Sequence, residues 1–470
     1  MSETLFQDQI PPSLPIEDDE EASESALDKL SLPKDSDLPP IIREVVSNAP
    51  ANRKIPSFIA CLAPLCALAT RLRLHYYYDS RPSALLLHVL IEGAQSSGKS
   101  YAADIENLIM ADTLKARDKA QRRLEQDYRE KKKRRKANEK LEEEPKTTIR
   151  VIPATISKTV LTKRADFYER ILGDTLTFWM FAEELAQVTD AGKAAYSNLR
   201  TLMRTGWDLG SLFGLDFASD NSYSAIVDIN ICCMFCTTPA ALDDYMDKKA
   251  IEGGNITRCI LCSLDEQLGA DGALFKPYTT EQLQTIHHVL DLMMADTYDA
   301  DGNLMPTKNL DMTWMDKAVK KWCKKKGHLA SLTGSNALDV FRKRSSVSAF
   351  RTAALCYYLY QLEGKLSVAQ MQKNCLKIYT YMSEFVLSSL LKRWGKRFEE
   401  LNSKRALDQV TTKKEDGIYF KLTDEFTRDQ LKILCQQQNL TTAPRQFIYM
   451  WTKSGDIKSL DKNHFIKLKK

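Results

Sequence analysis

GAQSSGKS, residues 93–100, is the stretch whose reading decides the fold. It fits the pattern G-x-x-x-x-G-K-[ST], which is built to hold phosphate. Gly93, Ser97 and Gly98 turn backbone N–H groups toward a phosphate chain, Lys99 supplies a cation for the outer phosphates, and the Ser100 hydroxyl faces Mg2+. The flanks agree with this reading. The apolar run LLLHVLI (residues 85–91) predicts a buried parallel strand before the loop, and YAADIENLIMADTL (residues 101–114) has helical spacing after it.

Working outward, further strand signals fall at residues 148–152, 176–182 (LTFWMFA), 226–236 and 259–263, alternating with helical stretches. That alternation predicts an α/β protein with a parallel sheet, a P-loop nucleotide-binding core over residues 41–270. Residues 107–146 are almost entirely charged and contain KKKRRK, with Glu125 and Arg129, and Glu130 and Arg134, spaced four apart. They read as a solvated helical insertion in the core, with a nucleic-acid contact or an import signal as the other readings. Residues 271–406 are helical and predict a lid domain, with the apolar stretch 349–362 as its core-facing helix. Residues 407–417 look like a linker. In residues 418–470 two helices, a Gly turn and a basic end (FIKLKK) suggest a winged helix-turn-helix, with Arg445 and Lys453 on the second helix as DNA contacts.

Composition bounds the function. The formal charge of +5 hides an acidic segment, residues 1–40, whose net charge is −9; residues 41–470 carry +14. Acidity and six of the sixteen prolines predict a disordered tail there, while the basic remainder suits a polyanion. Residues 58–69, the longest apolar stretch, are too short for a membrane span and predict a buried helix. With no signal peptide and eleven cysteines mostly inside apolar runs, the expected location is the cytoplasm. Cys233 and Cys236, with Cys259 and Cys262, have zinc-ribbon spacing. Strand geometry argues against zinc, since residues three apart on a strand point to opposite faces.

Hydrolysis at a P-loop needs one carboxylate on the metal side and another to orient water. Glu183 and Glu184, closing the strand 176–182, are placed for it; the other reading is two acids at a helix start. Thr237 or Thr238, closing the next strand, is a candidate contact for the γ-phosphate, or a turn before Pro239.

This order of parts resembles a known family. The P-loop, the acidic pair, CTTP (residues 236–239), GGNITRC (253–259) and RKRSSVSAFRTAAL (342–355) look like the AAA+ ATPase core of MCM-type replicative helicases. The chain is most similar to the helicase-like ATPases of bacterial mobile elements, which also end in a winged helix. The resemblance implies Glu183 beside the metal, Glu184 as the water-polarising base and Thr238 as sensor 1. It implies Arg258 as an arginine finger acting on a neighbouring subunit, Arg351 as the sensor 2 arginine, and residues 207–223 as a pore hairpin. ATP and Mg2+ would be the cofactors. Single-stranded or forked DNA, a homo-oligomeric hexameric ring and a primase or other replication protein would be the partners. The family usually has Asp where Glu183 stands and Asn where Thr238 stands, and this hairpin contains no Lys or Arg. The leading expectation is thus a DNA-translocating ATPase; a nucleotide-gated DNA-binding switch is the second, and a small-molecule P-loop kinase the third.

Overall fold

Residues 85–91 enter the middle of a five-stranded sheet, and the elements follow in chain order. The computed structural model describes residues 30–79, 81–135, 143–185, 199–215, 223–247, 250–251, 253–264, 272–402, 418–419, 421–437, 443–453 and 455–468. Helices α1 (Pro40–Ser47) and α2 (Lys54–Leu68) precede short strands β1 (Leu72–Leu74) and β2 (Ser83–Ala84) and the central strand β3 (His88–Glu92). Then come α3 (Ser100–Met110), α4 (Ala116–Arg134), β4 (Val151–Pro153), α5 (Lys158–Leu172), β5 (Thr177–Ala182) and α6 (Leu199–Thr205). A hairpin of β6 (Leu212–Leu215) and β7 (Ala225–Asp228) leads into β8 (Asn230–Thr237), α7 (Pro239–Tyr245) and β9 (Cys259–Ser263). Helices α8 (Thr280–Thr297), α9 (Asp316–Thr333), α10 (Asn336–Glu363) and α11 (Val368–Leu390) follow, with β10 (Lys308–Asn309) paired to β1.

The main sheet runs β4-β5-β8-β3-β9, and every pair in it is parallel. β3 and β8 are buried at every position, which is why both read as unbroken apolar runs rather than alternating ones. Helix α2 is buried from Pro56 to Leu68 without a polar face, as expected of an element that packs on the sheet and is itself covered. Among the described residues, no helix is long and apolar enough to cross a membrane.

Four expectations change. The run 226–236 is two strands, because Ala225–Asp228 alternates in exposure and pairs in the hairpin, whereas Asn230–Thr237 is wholly buried in the sheet. The charged insertion is not solvated throughout. Helix α3 passes through a π-helical turn at Ala111–Lys115, kinked at Thr113, into α4, whose first half lies along the edge strand. There Asp118 Oδ2 accepts from the backbone N–H groups of Arg150 (2.7 Å) and Val151 (2.5 Å), Arg122 donates to Val151 O (2.6 Å), and Arg164 makes two hydrogen bonds to Glu125. The arm therefore covers the β4 edge, which would otherwise be open to pairing. The helical segment is not a unit of its own: residues through Lys396 form one compact body with the sheet, and a second body comprises residues from Arg397 onward. Finally, the acidic segment is ordered at its end, where Asp37 pairs with Lys377 at 2.8 Å. Its residues 1–29 and the expected linker 407–417 lie outside the described residues.

The second body carries β11 (Glu425–Thr427), α12 (Arg428–Gln437), α13 (Pro444–Lys453), β12 (Ile457–Ser459) and β13 (His464–Lys467). Its strands form an antiparallel sheet, β11-β13-β12, over a core that includes Leu431, Phe447, Trp451 and Phe465.

His88, first in β3, is 2 % exposed and lies 3.0 Å from Ile231 O through Nε2. Burial pushes its pKa down to about 3 from 6.5. The folded state thus keeps it neutral while the unfolded chain takes up a proton below pH 6.5. Its contribution is fully present above that pH and is lost as pH falls toward 3. Denaturant melts at pH 7 and pH 5 should therefore show the stability gap between wild type and His88→Gln shrinking or reversing at pH 5, by about 2 kcal/mol. A gap independent of pH would contradict the assignment.

Candidate nucleotide-binding site

β3 ends at Glu92 and the loop begins with Gly93, whose N–H donates to Thr237 O at 3.1 Å. A Cβ at Gly93 would stand 2.5 Å from Ser97 Oγ, so the tight loop requires glycine there. Ser96 and Gly98 both have positive φ, 62° and 68°, and between them Ser97 is tucked in at 8 % exposure. This left-handed pair turns the loop into the N-terminus of α3, where the first helical N–H groups and the dipole favour an anion. Lys99 Nζ donates to Gly93 O (2.8 Å), Ala94 O (2.5 Å) and Ser97 Oγ (3.0 Å), which holds the ammonium over the mouth of the loop. The Ser100 side chain is exposed at the first position of the helix. Donors, curvature and charge fit a phosphate chain.

β5 ends level with the loop. Ala182 pairs with Phe235, and Glu92 with Thr237 two residues further along β8. Glu183 and Glu184, both exposed, therefore leave the sheet at the edge where the loop begins. One strand separates them from β3, a gap of about 10 Å at 4.8 Å per strand, room for a terminal phosphate, a metal ion and a water. The thiol of Cys236, near the end of that intervening strand, registers both sides. Burial raises its pKa to about 12, with Lys99 pulling it down and Glu183 pushing it up. Ser100 and Glu183 are the residues that would hold Mg2+, which takes one or two protein oxygens and completes its shell with phosphate and water. Among the described residues, no group of three or more His, Cys, Asp or Glu is placed to hold a metal by itself. Thr237 is buried and donates to Thr238 O at 3.0 Å; Thr238 Oγ1 accepts from Ala241 N at 3.4 Å as the N-cap of α7. Thr238 is thus at the right edge, with its hydroxyl already engaged in starting a helix.

Two residues that sequence reasoning missed complete the edge. Arg53, 4 % exposed at the start of α2, donates to Ser97 O at 3.1 Å and braces the loop from behind. Arg393 lies on the π-helical turn Leu391–Gly395 that continues α11. Its Nε donates to Glu92 Oε1 and an Nη to Asp243 Oδ1, each at 2.9 Å. Glu92 is 5 % exposed and also accepts from Ser263 Oγ at 2.7 Å. The helical segment therefore reaches the end of the loop strand through one arginine. Its partners are about 150 and 300 residues away in sequence, and only the wide helical turn marks it.

Arg351, expected at the nucleotide of its own chain, is elsewhere, and Arg258, expected at a neighbouring subunit's nucleotide, is held within its own chain. Arg351 does not reach this edge: it is 2 % exposed, donates to Leu86 O and Trp207 O at 2.9 Å each, and lies 3.9 Å from the centre of the Trp207 ring. Its guanidinium closes the opposite end of the sheet, where polar backbone left by the strand starts needs donors. Burial lowers its pKa to about 10. Arg258 is near it, before β9, and holds Gly254 O (2.9 Å) and Asp208 (3.5 Å) of its own chain. Since β9 pairs with β3 from Cys259 against His88 to Ser263 against Glu92, Arg258 stands level with Leu87, about 20 Å along the strand direction from the loop of the same chain at ~3.3 Å per residue. Trp207, placed in a hairpin by sequence, is fully buried beneath it; the hairpin strands are Leu212–Leu215 and Ala225–Asp228, with 216–222 outside the described residues.

The cysteine pairs lie on β8 and β9 to either side of β3. Cys233 and Cys259 are in register with His88, and Cys236 and Cys262 with Ile91. Pairs two strands apart stand about 10 Å from each other, beyond a shared zinc ion. In the second body Arg445, Tyr449 and Lys453 are exposed on one face of α13.

Gly93→Ala and Gly98→Ala should each lower ATP affinity at least tenfold, the first through the Ser97 clash and the second through the positive φ. Titration calorimetry checks this; wild-type affinity in both would refute the loop geometry. No family model matches the chain, and no curated protein matches it, so its chemistry is read from these residues alone.

Proposed function

We propose that the chain is an Mg2+-dependent ATPase of AAA+ type that moves DNA, similar in plan to MCM-type replicative helicases. The observation that carries the proposal is that the loop after β3 and the glutamates after β5 leave the same edge of a parallel sheet with only β8 between them. In this reading residues 93–100 cradle the phosphates and Lys99 exchanges its loop oxygens for β- and γ-phosphate oxygens. Ser100 and Glu183 would hold Mg2+, which when bound would supply positive charge to offset that developing on the transferred phosphoryl group. Glu184 accepts a proton from the attacking water. Arg393 replaces Arg351 as the helical segment's link to the nucleotide. The β6–β7 hairpin, inserted before β8, and α13 in a winged-helix body supply DNA contacts, with Arg445 and Lys453 on phosphates. The ring-forming, arginine-finger part of the proposal requires Arg258 to leave Asp208 for a neighbour's nucleotide.

That last requirement favours keeping a second reading, a nucleotide-gated DNA-binding switch, because Arg258 is already engaged by Gly254 O and Asp208 of its own chain. The two separate on turnover. A motor's ATP hydrolysis rises on adding single-stranded DNA, whereas a switch's does not.

Lys99→Ala should abolish hydrolysis. Glu184→Gln should retain ATP affinity within a few-fold while kcat falls by about 10² to 10⁴. Steady-state phosphate release together with equilibrium binding checks both. Unchanged hydrolysis in Lys99→Ala would end the ATPase proposal, and a larger loss in Glu183→Gln with none in Glu184→Gln would reverse the two carboxylates' roles.

A further inference from the structure

Helix α9 carries an unusual face. Lys317, Lys320, Lys321, Lys324, Lys325 and His328 are all exposed, and at 3.6 residues per turn they fall within about 140° of the helix circumference. The stripe is about 16 Å long at 1.5 Å per residue. Lys320 has Asp316 at 3.8 Å, while Lys317, Lys321, Lys324 and Lys325 form no ion pair among the described residues. The opposite side of the helix is spent on packing: Val319, Trp322 and Cys323 are buried, and Lys326 turns back to Glu384 at 2.7 Å.

Beside this stripe stands an aromatic step. The chain between β1 and β2 presents His75, Tyr76, Tyr77 and Tyr78. Tyr76 is the anchor, buried against Phe350 and donating to Ser346 Oγ at 2.7 Å. Tyr77 lies under Lys320, with Nζ 5.5 Å from its ring centre, and packs against Tyr78 at 5.0 Å. Tyr78 is 61 % exposed. Tyr78 is thus an exposed aromatic ring backed by Tyr76 and Tyr77 and set beside a row of lysines, a π-face next to concentrated positive charge. The only carboxylates of α9 and of the tyrosine turn are Asp316 and Asp79, so positive charge dominates the face.

We propose that the lysine stripe of α9 together with Tyr77 and Tyr78 is a binding face for single-stranded nucleic acid, phosphates on the lysines and a base on Tyr78. A single strand fits better than a duplex because its bases have free π-faces to stack on the ring, and a basic track with aromatic platforms is how such strands are held without sequence preference. This face lies in the body that carries the P-loop. It goes beyond the proposed ATPase reading and stands or falls separately from it.

The test uses the full chain carrying Arg445→Ala and Lys453→Ala, so that α13 does not mask the face, and a labelled oligo(dT) followed by fluorescence anisotropy across a salt series. The expected result is residual binding whose log–log salt slope falls by about 2 when Lys317, Lys321 and Lys324 are all changed to Gln, roughly 0.7 per lost phosphate contact. Tyr78→Ala should weaken binding about tenfold and leave the slope unchanged, and Tyr78→Phe should restore it. ATP affinity, unchanged in all these variants, reports that the fold is intact. The proposal is overturned by loss of all binding in the Arg445→Ala, Lys453→Ala chain, by an unmoved slope in the triple variant, or by an inert Tyr78→Ala. It is equally overturned if a duplex binds as tightly as the single strand. Displacement of the oligonucleotide by poly-glutamate at matched charge would assign the face to an acidic protein instead.

Discussion

Because all five strands of the main sheet run in the same direction, each connection must cross over a face, and every strand delivers its carboxyl end to one edge. Everything assigned to the site follows from that constraint. β3 brings the phosphate loop, β5 the two glutamates, β8 the threonines and β9 the Ser263 hydroxyl on Glu92. The interposition of β8 sets the working distance. Were β5 adjacent to β3, Glu184 and the loop would be about 5 Å apart, too close to admit a phosphate, a metal and a water between them.

The opposite edge is closed by a different device. Three arginines, Arg258, Arg344 and Arg351, converge on Asp208 and on the faces of Trp207. Arg351 is buried by α10, and its hydrogen bonds to Leu86 O and Trp207 O tie the helical segment to the start of the sheet. Arg393 ties the same segment to the other edge. Two arginines, one at each end, thus couple the helices to the sheet, and this explains why the helical segment joins the sheet in a single body instead of standing apart. Of the two ties, that of Arg393 is the more exposed and shares its partner, Glu92, with the loop strand. Any movement of helices in response to nucleotide would act there first.

How much of this was legible in the residues depended on locality. The phosphate loop is a local motif, and the strands around it are short apolar runs bounded by polar residues, so the sheet and its chemistry-bearing ends could be read directly. Residues 226–236 failed because a hairpin strand and a buried strand are joined by Ile229 alone, leaving one apolar run for two structures. The charged arm misled because Asp118, Gln121 and Glu125 look like solvent-facing helix residues until the β4 edge with its unpaired N–H groups comes into view. Arg351 carries the same side chain as a nucleotide-sensing arginine, and nothing in its own segment reveals that it will be buried against backbone carbonyls. Arg393 and Arg53 act only through partners distant in sequence, which no local pattern encodes. The site was therefore readable where a motif makes it and hidden where tertiary packing makes it.

The central claim is that the loop 93–100 and the end of β5 form one centre around a metal-bound nucleotide. Locating Mn2+ by anomalous scattering in crystals grown with a non-hydrolysable ATP analogue tests it most directly. The account predicts a single strong peak beside the triphosphate, within coordination distance of the Ser100 hydroxyl and on the Glu183 side of the loop. A nucleotide bound away from residues 93–100, or a manganese ion remote from both Ser100 and Glu183, would contradict it.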